Sequence, residues 1–284
     1  MRRHTAVVSV LVVSLLWLYG DVLIALVRQW GADDNYSHGF LVFPLSAFFL
    51  WERRHALQRA PVRPSLTGFL VLAASLLVFT AGKFGAELFL TRVSLIGVLA
   101  GIVLCVWGKA HARVLVFPLA FLVLMVPLPA IMFNQIAFPL QLLASRAGAM
   151  AISASGVPVL RNGNLLELPT RTLEVAEACS GIRSIMSLLM LAIVLGYFTE
   201  RRNGRRFVIA LASVPLAVLA NAVRVAGTGL ASEWISPVAA DGFFHAFSGW
   251  LMFIVACMGL MAVQRGVGLV DAWRLRLGTA TLGV

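Results

Sequence analysis

The sequence predicts an all-α integral membrane protein, a polytopic helical bundle of about eight transmembrane helices with a small extracytoplasmic loop or hairpin segment. Three observations predict it. The 284 residues are 60% hydrophobic and only 12% charged, where a soluble domain averages about 25% charged. The apolar residues fall into runs long enough to cross a bilayer, roughly 20 residues each. Strand-length alternation does not recur along the chain, so helices are favoured over a closed barrel.

The first span is expected at 5–27. Met1-Arg2-Arg3-His4 ahead of it resembles the start of a signal peptide. The run continues past Trp17 without a small-residue cleavage site, which predicts an uncleaved span. Further spans are expected at 39–51 (short, with Pro44), 66–82, 93–108 and 114–133, then at 180–199, 207–230 and 244–263.

Basic clusters follow alternate spans: Arg53, Arg54, Arg59 and Arg63; Lys109 and Arg113; Arg201, Arg202, Arg205 and Arg206; Arg265, Arg274 and Arg276. With Arg2 and Arg3 they hold 15 of the 23 Lys and Arg residues. Such a bias predicts both termini in the cytoplasm. It also accounts for the net charge of +11 without a nucleic-acid partner. His4, His55 and His111 fall in or beside these basic segments and are expected to be solvated.

The whole chain, 1–284, reads as a single membrane domain. Its exceptional stretch is 134–178, expected as an extracytoplasmic interfacial helix followed by a hairpin or an irregular loop. The helix carries Gln135, Gln141, Ser145 and Arg146 among apolar residues, which suits the membrane interface. Arg161-Asn162-Gly163-Asn164 holds an Asn-Gly turn signal, placing the hairpin over 158–176.

Cys105 and Cys257 lie deep in apolar runs and read as small hydrophobes. Cys179 stands apart, where a span begins. Arg224 lies toward the far end of the span that leaves Arg206, and His245 opens the span that ends at Arg265. The separations are 22 residues from Cys179 to Arg201, 18 from Arg206 to Arg224 and 20 from His245 to Arg265. At about 1.5 Å per residue these are roughly 33, 27 and 30 Å, within one helical turn of a common depth. An arginine at that depth is expected to face the bundle interior or a wet cavity.

The three side chains divide a plausible chemistry. A thiol at a helix start meets backbone N–H groups that lower its pKa and could hold an oxyanion. Arg224 does not deprotonate, which leaves it electrostatic roles. His245 can carry a proton from the thiol to a leaving amine. Together they fit acyl transfer through a thioester. Composition and spacing leave a second class open beside it, a polytopic transporter or lipid-handling protein with a polar outer vestibule. Neither reading calls for a cofactor, and no cluster has metal-ligand or phosphate-loop spacing.

At these residues the chain resembles the exosortase/archaeosortase family. Glu177-Ala178-Cys179-Ser180-Gly181-Ile182-Arg183-Ser184 is similar to its cysteine motif, Asn221-Ala222-Val223-Arg224 to its Asn-x-x-Arg motif, and His245-Ala246-Phe247-Ser248-Gly249-Trp250 to its His-x-x-x-Gly-Trp motif. Asn35-Tyr36-Ser37-His38-Gly39-Phe40-Leu41-Val42 and Pro127-Leu128-Pro129 match further recurring stretches, the whole spanning about 33–262. The resemblance implies Cys179 as nucleophile with Arg224 and His245 as partners, in a membrane cysteine protease/transpeptidase of the bacterial inner membrane. The site would face the periplasm. Implied partners are exported proteins with a C-terminal sorting signal (often Pro-Glu-Pro, a transmembrane helix and a basic cluster), membrane lipids and an amine-type acyl acceptor. Some relatives, longer than this chain, carry a further periplasmic domain after the last span; none is expected here.

Four supporting residues each keep two readings. Asn221, on the Arg224 helix face, orients Arg224 or His245, or makes an ordinary interhelical hydrogen bond. Arg183 clamps an anion or pairs with Glu177 or Asp241. Asp241 fixes the His245 tautomer if the helix already includes it. His38 lines the outer cleft or caps a turn.

Overall fold

The computed structural model describes residues 2–175, 182–235 and 243–280, with side chains described for 9–175, 182–235 and 247–268. The chain divides into two compact units, Met1–Ala130 and Ile131–Val284.

The first unit contains α1 (Arg2–Ala32), α2 (Gly39–Glu52), the short α3 (Arg54–Arg59), α4 (Leu66–Phe84), α5 (Leu88–Val106) and α6 (Lys109–Phe121). Helix α5 begins earlier than its hydropathy suggests because Glu87 caps it, its carboxylate accepting from the N–H groups of Phe89 and Leu90 at 3.0 and 3.4 Å. Helices α4 and α5 pack closely. A Cβ on Gly68 would lie 2.4 Å from the Cys105 nitrogen, and one on Gly101 2.8 Å from the Leu72 nitrogen. Small residues thus let two backbones meet, a common device where both partners are apolar.

The expected span 114–133 is divided. Helix α6 stops at Phe121, a 3-10 turn covers Leu122–Met125, and the next helix starts at Ala130. Pro127 and Pro129 weaken the helix at this point. Neither donates a backbone N–H, and each disfavours helical backbone in the residue before it.

Proline leaves carbonyls without helical donors, and side chains from other helices take them up. Pro118 cannot donate to the Val114 carbonyl, so Arg53 Nη1 does, at 2.6 Å. Pro129 cannot serve Met125, and Trp30 Nε1 donates to that carbonyl at 3.0 Å. The Leu124 carbonyl accepts from His38 Nε2 at 3.0 Å, and the Leu128 backbone N–H donates to the Tyr36 hydroxyl oxygen. The stretch 35–40 and the Pro127-Leu128-Pro129 segment are therefore two halves of one interlock. Gly39 belongs to it, since a Cβ there would sit 2.4 Å from Trp30 Nε1. Gly39→Ala is expected to displace the indole and destabilise this unit by about 1–3 kcal/mol, read as a lower unfolding midpoint of the purified protein.

One expectation about the histidines, that for His111, is corrected here. His38 stands at the N-cap of α2 but makes no side-chain cap bond. Its buried ring bonds the Leu124 carbonyl and the backbone of Asn35 in the preceding turn. Burial pushes the imidazole below its ordinary pKa, which favours the neutral ring. His111 is buried rather than solvated, on the inward face of α6 with Leu115 and Pro118. His55 is exposed as expected.

The second unit opens with α7 (Ala130–Ala154), followed by strands β1 (Leu160–Asn162), β2 (Leu165–Glu167) and β3 (Thr172–Glu174). It closes with α8 (Ile182–Thr199), α9 (Asn203–Trp234) and α10 (Phe243–Ala280). Helix α9 packs against both α8 and α10. Their common core includes Ile185, Leu188 and Ala192, then Ile209 and Ala217, then Ala256 and Leu260. Among the described residues, seven helices are long and apolar enough to cross a membrane, α7 among them. Helix α2 has 14 residues and falls short of that length.

The hairpin expected over 158–176 is a three-stranded antiparallel sheet in the order β1-β2-β3. Asn162 pairs with Leu165, so the two-residue turn is Gly163-Asn164, with Gly163 at φ +64°. Glycine first with positive φ is the type II′ pattern, one residue on from the Asn-Gly frame.

Candidate active site

The sheet packs on α7 and the last turns of α9. Leu166, Leu168, Leu173 and Val175 join Ala144 and Ile152 of α7 and Val225 and Ala226 of α9 in one buried cluster. The helices approach through glycines. A Cβ on Gly148 would lie 2.6 Å from Val225 Cγ1, and one on Gly229 2.5 Å from Ile152 Cδ1. Near the C-terminal end of α9 Thr170 donates its N–H and its hydroxyl to Glu233 Oε1, at 3.1 and 2.5 Å. Helix α9 continues ten residues beyond Arg224, about 15 Å, and the sheet lies along that extension.

The hairpin turn is anchored from both sides. The Gly163 carbonyl accepts from the buried Ser145 hydroxyl and from Arg161 Nη1, both at 2.8 Å. Asn164 holds Val175 by backbone and side chain: the Val175 N–H donates to the Asn164 carbonyl at 2.9 Å, and Asn164 Nδ2 donates to the Val175 carbonyl at 3.4 Å. Val175 is four residues before Cys179. The sheet therefore fixes where the cysteine segment departs. Sequence reasoning missed this role of Asn164, although the residue sits in the turn that the sequence signals.

Cys179, Glu177 and Asp241 lie outside the described residues. Position 245 is helical, in the first turn of α10, and its side chain is likewise outside them. Arg224 is half-buried on α9, Asn221 is buried three residues earlier, and Arg183 is exposed near the start of α8. His38 belongs to the first unit, in the interlock described above.

One contact joins two of the motifs. The Arg224 guanidinium lies against Gly249 of α10. A Cβ built there would sit 3.2 Å from Cζ, 3.3 Å from Nη2 and 3.5 Å from Nη1. Three near-equal distances mean that the bare Cα of Gly249 accepts the broad side of the guanidinium. Gly249 is one helical turn after position 245 and on the same face of α10. Arg224 thus meets α10 on the face that carries position 245. Gly249→Ala is expected to leave folding and insertion intact, because only the end of a flexible side chain must yield. If Arg224 acts on the reaction, a displacement of a few tenths of an ångström should slow it about tenfold, checked by turnover against membrane level.

A guanidinium at this crossing keeps its positive charge at any physiological pH. Among the described residues no group of three or more His, Cys, Asp or Glu side chains could hold a metal ion.

Comparison with known proteins places this geometry in a family. The profile of a family described as transmembrane exosortase matches residues 30–262, which include all three motifs. No curated protein matches the chain. No solved structure matches it either.

Proposed function

Because the chain belongs to the transmembrane exosortase family, we propose that it is a membrane cysteine peptidase/transpeptidase whose nucleophile is Cys179. Its substrates are exported proteins ending in a sorting signal, a short motif such as Pro-Glu-Pro followed by a transmembrane helix and basic residues. The observation that carries this reading is the seat of the Arg224 guanidinium on Gly249, one turn from position 245.

The Cys179 thiolate attacks the scissile carbonyl and forms a tetrahedral oxyanion. Arg224 supplies positive charge to the thiolate and then to that oxyanion. The oxyanion collapses to a thioester as the C–N bond breaks, and His245 delivers the proton that the leaving amine requires. An amine or water then attacks the thioester and restores the thiol. The sheet is the scaffold from which the cysteine segment departs, and its contacts with α9 keep that departure in register with Arg224. Asn221, Arg183, Glu177 and Asp241 are supporting residues in this reading. The site works at the periplasmic face of a bacterial inner membrane.

Co-expression of a tagged precursor carrying a Pro-Glu-Pro-type tail tests the proposal. Wild type is expected to shorten the precursor, and Cys179→Ala at equal membrane level is not. Equal shortening by both would overturn Cys179 as nucleophile.

A further inference from the structure

The small sheet of the second unit has an edge that the described residues leave open. The Val175 N–H donates to the Asn164 carbonyl and the Leu168 N–H to the Arg171 carbonyl. Ladder bonds alternate along an antiparallel strand, so Leu166 bonds β3 while Leu165 and Glu167 bond β1. Leu165 and Glu167 stand opposite Asn162 and Leu160. Arg161, opposite Leu166, therefore turns its backbone N–H and carbonyl away from β2. The strand order is β1-β2-β3, and no described residue takes up those two groups. Leu160 beside them is 65% exposed. An unpaired edge with an exposed apolar residue is a template for another strand.

The Arg161 side chain sets the chemistry of that edge. It shares a face of the sheet with Leu166 and Leu173, its neighbours across the strands. One guanidinium nitrogen donates to the Gly163 carbonyl, and among the described residues no carboxylate pairs with it. Glu167 and Glu174, one residue on from Leu166 and Leu173, point to the opposite face. The complement of Arg161 is one residue of an extended chain that supplies an N–H, a carbonyl and a carboxylate together. The residues on either side of it direct their backbone groups away from β1. Proline fits at both, because its missing N–H has no partner to serve there. At the other edge β3 turns out Thr172 and Glu174, which offer an incoming acid no cation and one like charge.

We propose that an extended segment of the substrate adds to β1 as a fourth, antiparallel strand, with an acidic residue opposite Arg161. This seat rests on the peptidase reading, in which the segment is the Pro-Glu-Pro motif. The glutamate bonds Arg161 through backbone and side chain alike. The prolines turn their donor-free edges outward, so no fifth strand can follow.

Binding is measured apart from cleavage, so that either can fail alone. Full-length Cys179→Ala protein is reconstituted in vesicles with a fluorescent tail, Pro-Glu-Pro followed by its transmembrane helix, and energy transfer gives the affinity. Exchanging the glutamate for N-methylglutamate removes the N–H that faces β1 and keeps the carboxylate; affinity is expected to fall about tenfold. Adding Arg161→Gln should weaken the Pro-Glu-Pro tail about tenfold and leave a Pro-Gln-Pro tail unchanged. The Ser145 hydroxyl still holds the Gly163 carbonyl in that variant, so the turn stays in place. Arg161→Glu is expected to bind a Pro-Lys-Pro tail more tightly than Pro-Glu-Pro, the reverse of the order with Arg161. Equal affinity of the parent and N-methylated tails would overturn strand addition. An unchanged order of tails in Arg161→Glu would overturn the pairing with Arg161. Full tail affinity without precursor cleavage by wild type would count against the peptidase reading and leave the seat standing.

Discussion

Cells carrying Cys179→Ala are expected to accumulate uncut precursor, with the processing rate down by on the order of 10⁵–10⁶. That is the loss typical when a covalent nucleophile is removed from a set of groups that act as a unit. Cys179→Ser should be nearly as inactive, because a hydroxyl is not ionised by the surroundings that ionise a thiol. Neither change should alter membrane level, since one small side chain replaces another. The thiol can be followed directly. Cys105 and Cys257 are half-buried and free, and replacing both with alanine leaves Cys179 as the single alkylation target. Its labelling rate against pH reports the thiolate. Precursor cleavage that persists in Cys179→Ala would move the nucleophile elsewhere.

Arg224→Lys is the second large expected effect, a fall of about 10²–10³ in turnover. Lysine keeps the charge and loses the plane. The observed seat on Gly249 suits a flat group with two parallel hydrogen-bonding edges, whereas an ammonium is a hydrated point charge on a thinner stem. Arg224→Ala should cost at least as much, and it should shift Cys179 alkylation to higher pH by removing a cation that favours the thiolate. A purely structural Arg224 predicts something else: lower membrane levels of both variants with an unchanged alkylation profile in the protein that remains. The two patterns separate by measurement on the same samples. Arg224→Lys with full turnover would remove the guanidinium from the mechanism.

The membrane class and most helices were legible because hydropathy and basic loops are summed over many residues. The division of 114–133 was not. Prolines are tolerated within transmembrane helices when neighbours satisfy the freed groups, so Pro127 and Pro129 alone did not decide whether the helix ends or bends. What decides it is Trp30 and His38 reaching the Met125 and Leu124 carbonyls, and no spacing rule shows a contact across so much chain. The burial of His111 was legible in principle. His111, Leu115 and Pro118 recur at helical spacing, and the nearby basic residues drew attention from that pattern. In the candidate site, the sequence pointed to Arg224 and to a glycine four residues after His245. It did not say that the glycine exists to receive the guanidinium, because the two residues meet only through the crossing of α9 and α10.

The interlock in the first unit sets a timetable for biosynthesis. Trp30 and Met125 are 95 residues apart in sequence, and His38 and Leu124 are 86 apart. At a translation rate of about 5–20 residues per second, α1 and α2 enter the membrane roughly 5–20 s before their acceptor carbonyls are made. During that interval the indole N–H and the imidazole stand with no native partner in a medium that supplies few substitutes. Nascent chains halted before residue 125 should therefore hold these helices loosely, accessible to membrane chaperones and proteases. Synthesis carried far enough for residues 124 and 125 to enter the membrane should bring the donors and carbonyls together and make the same helices resistant.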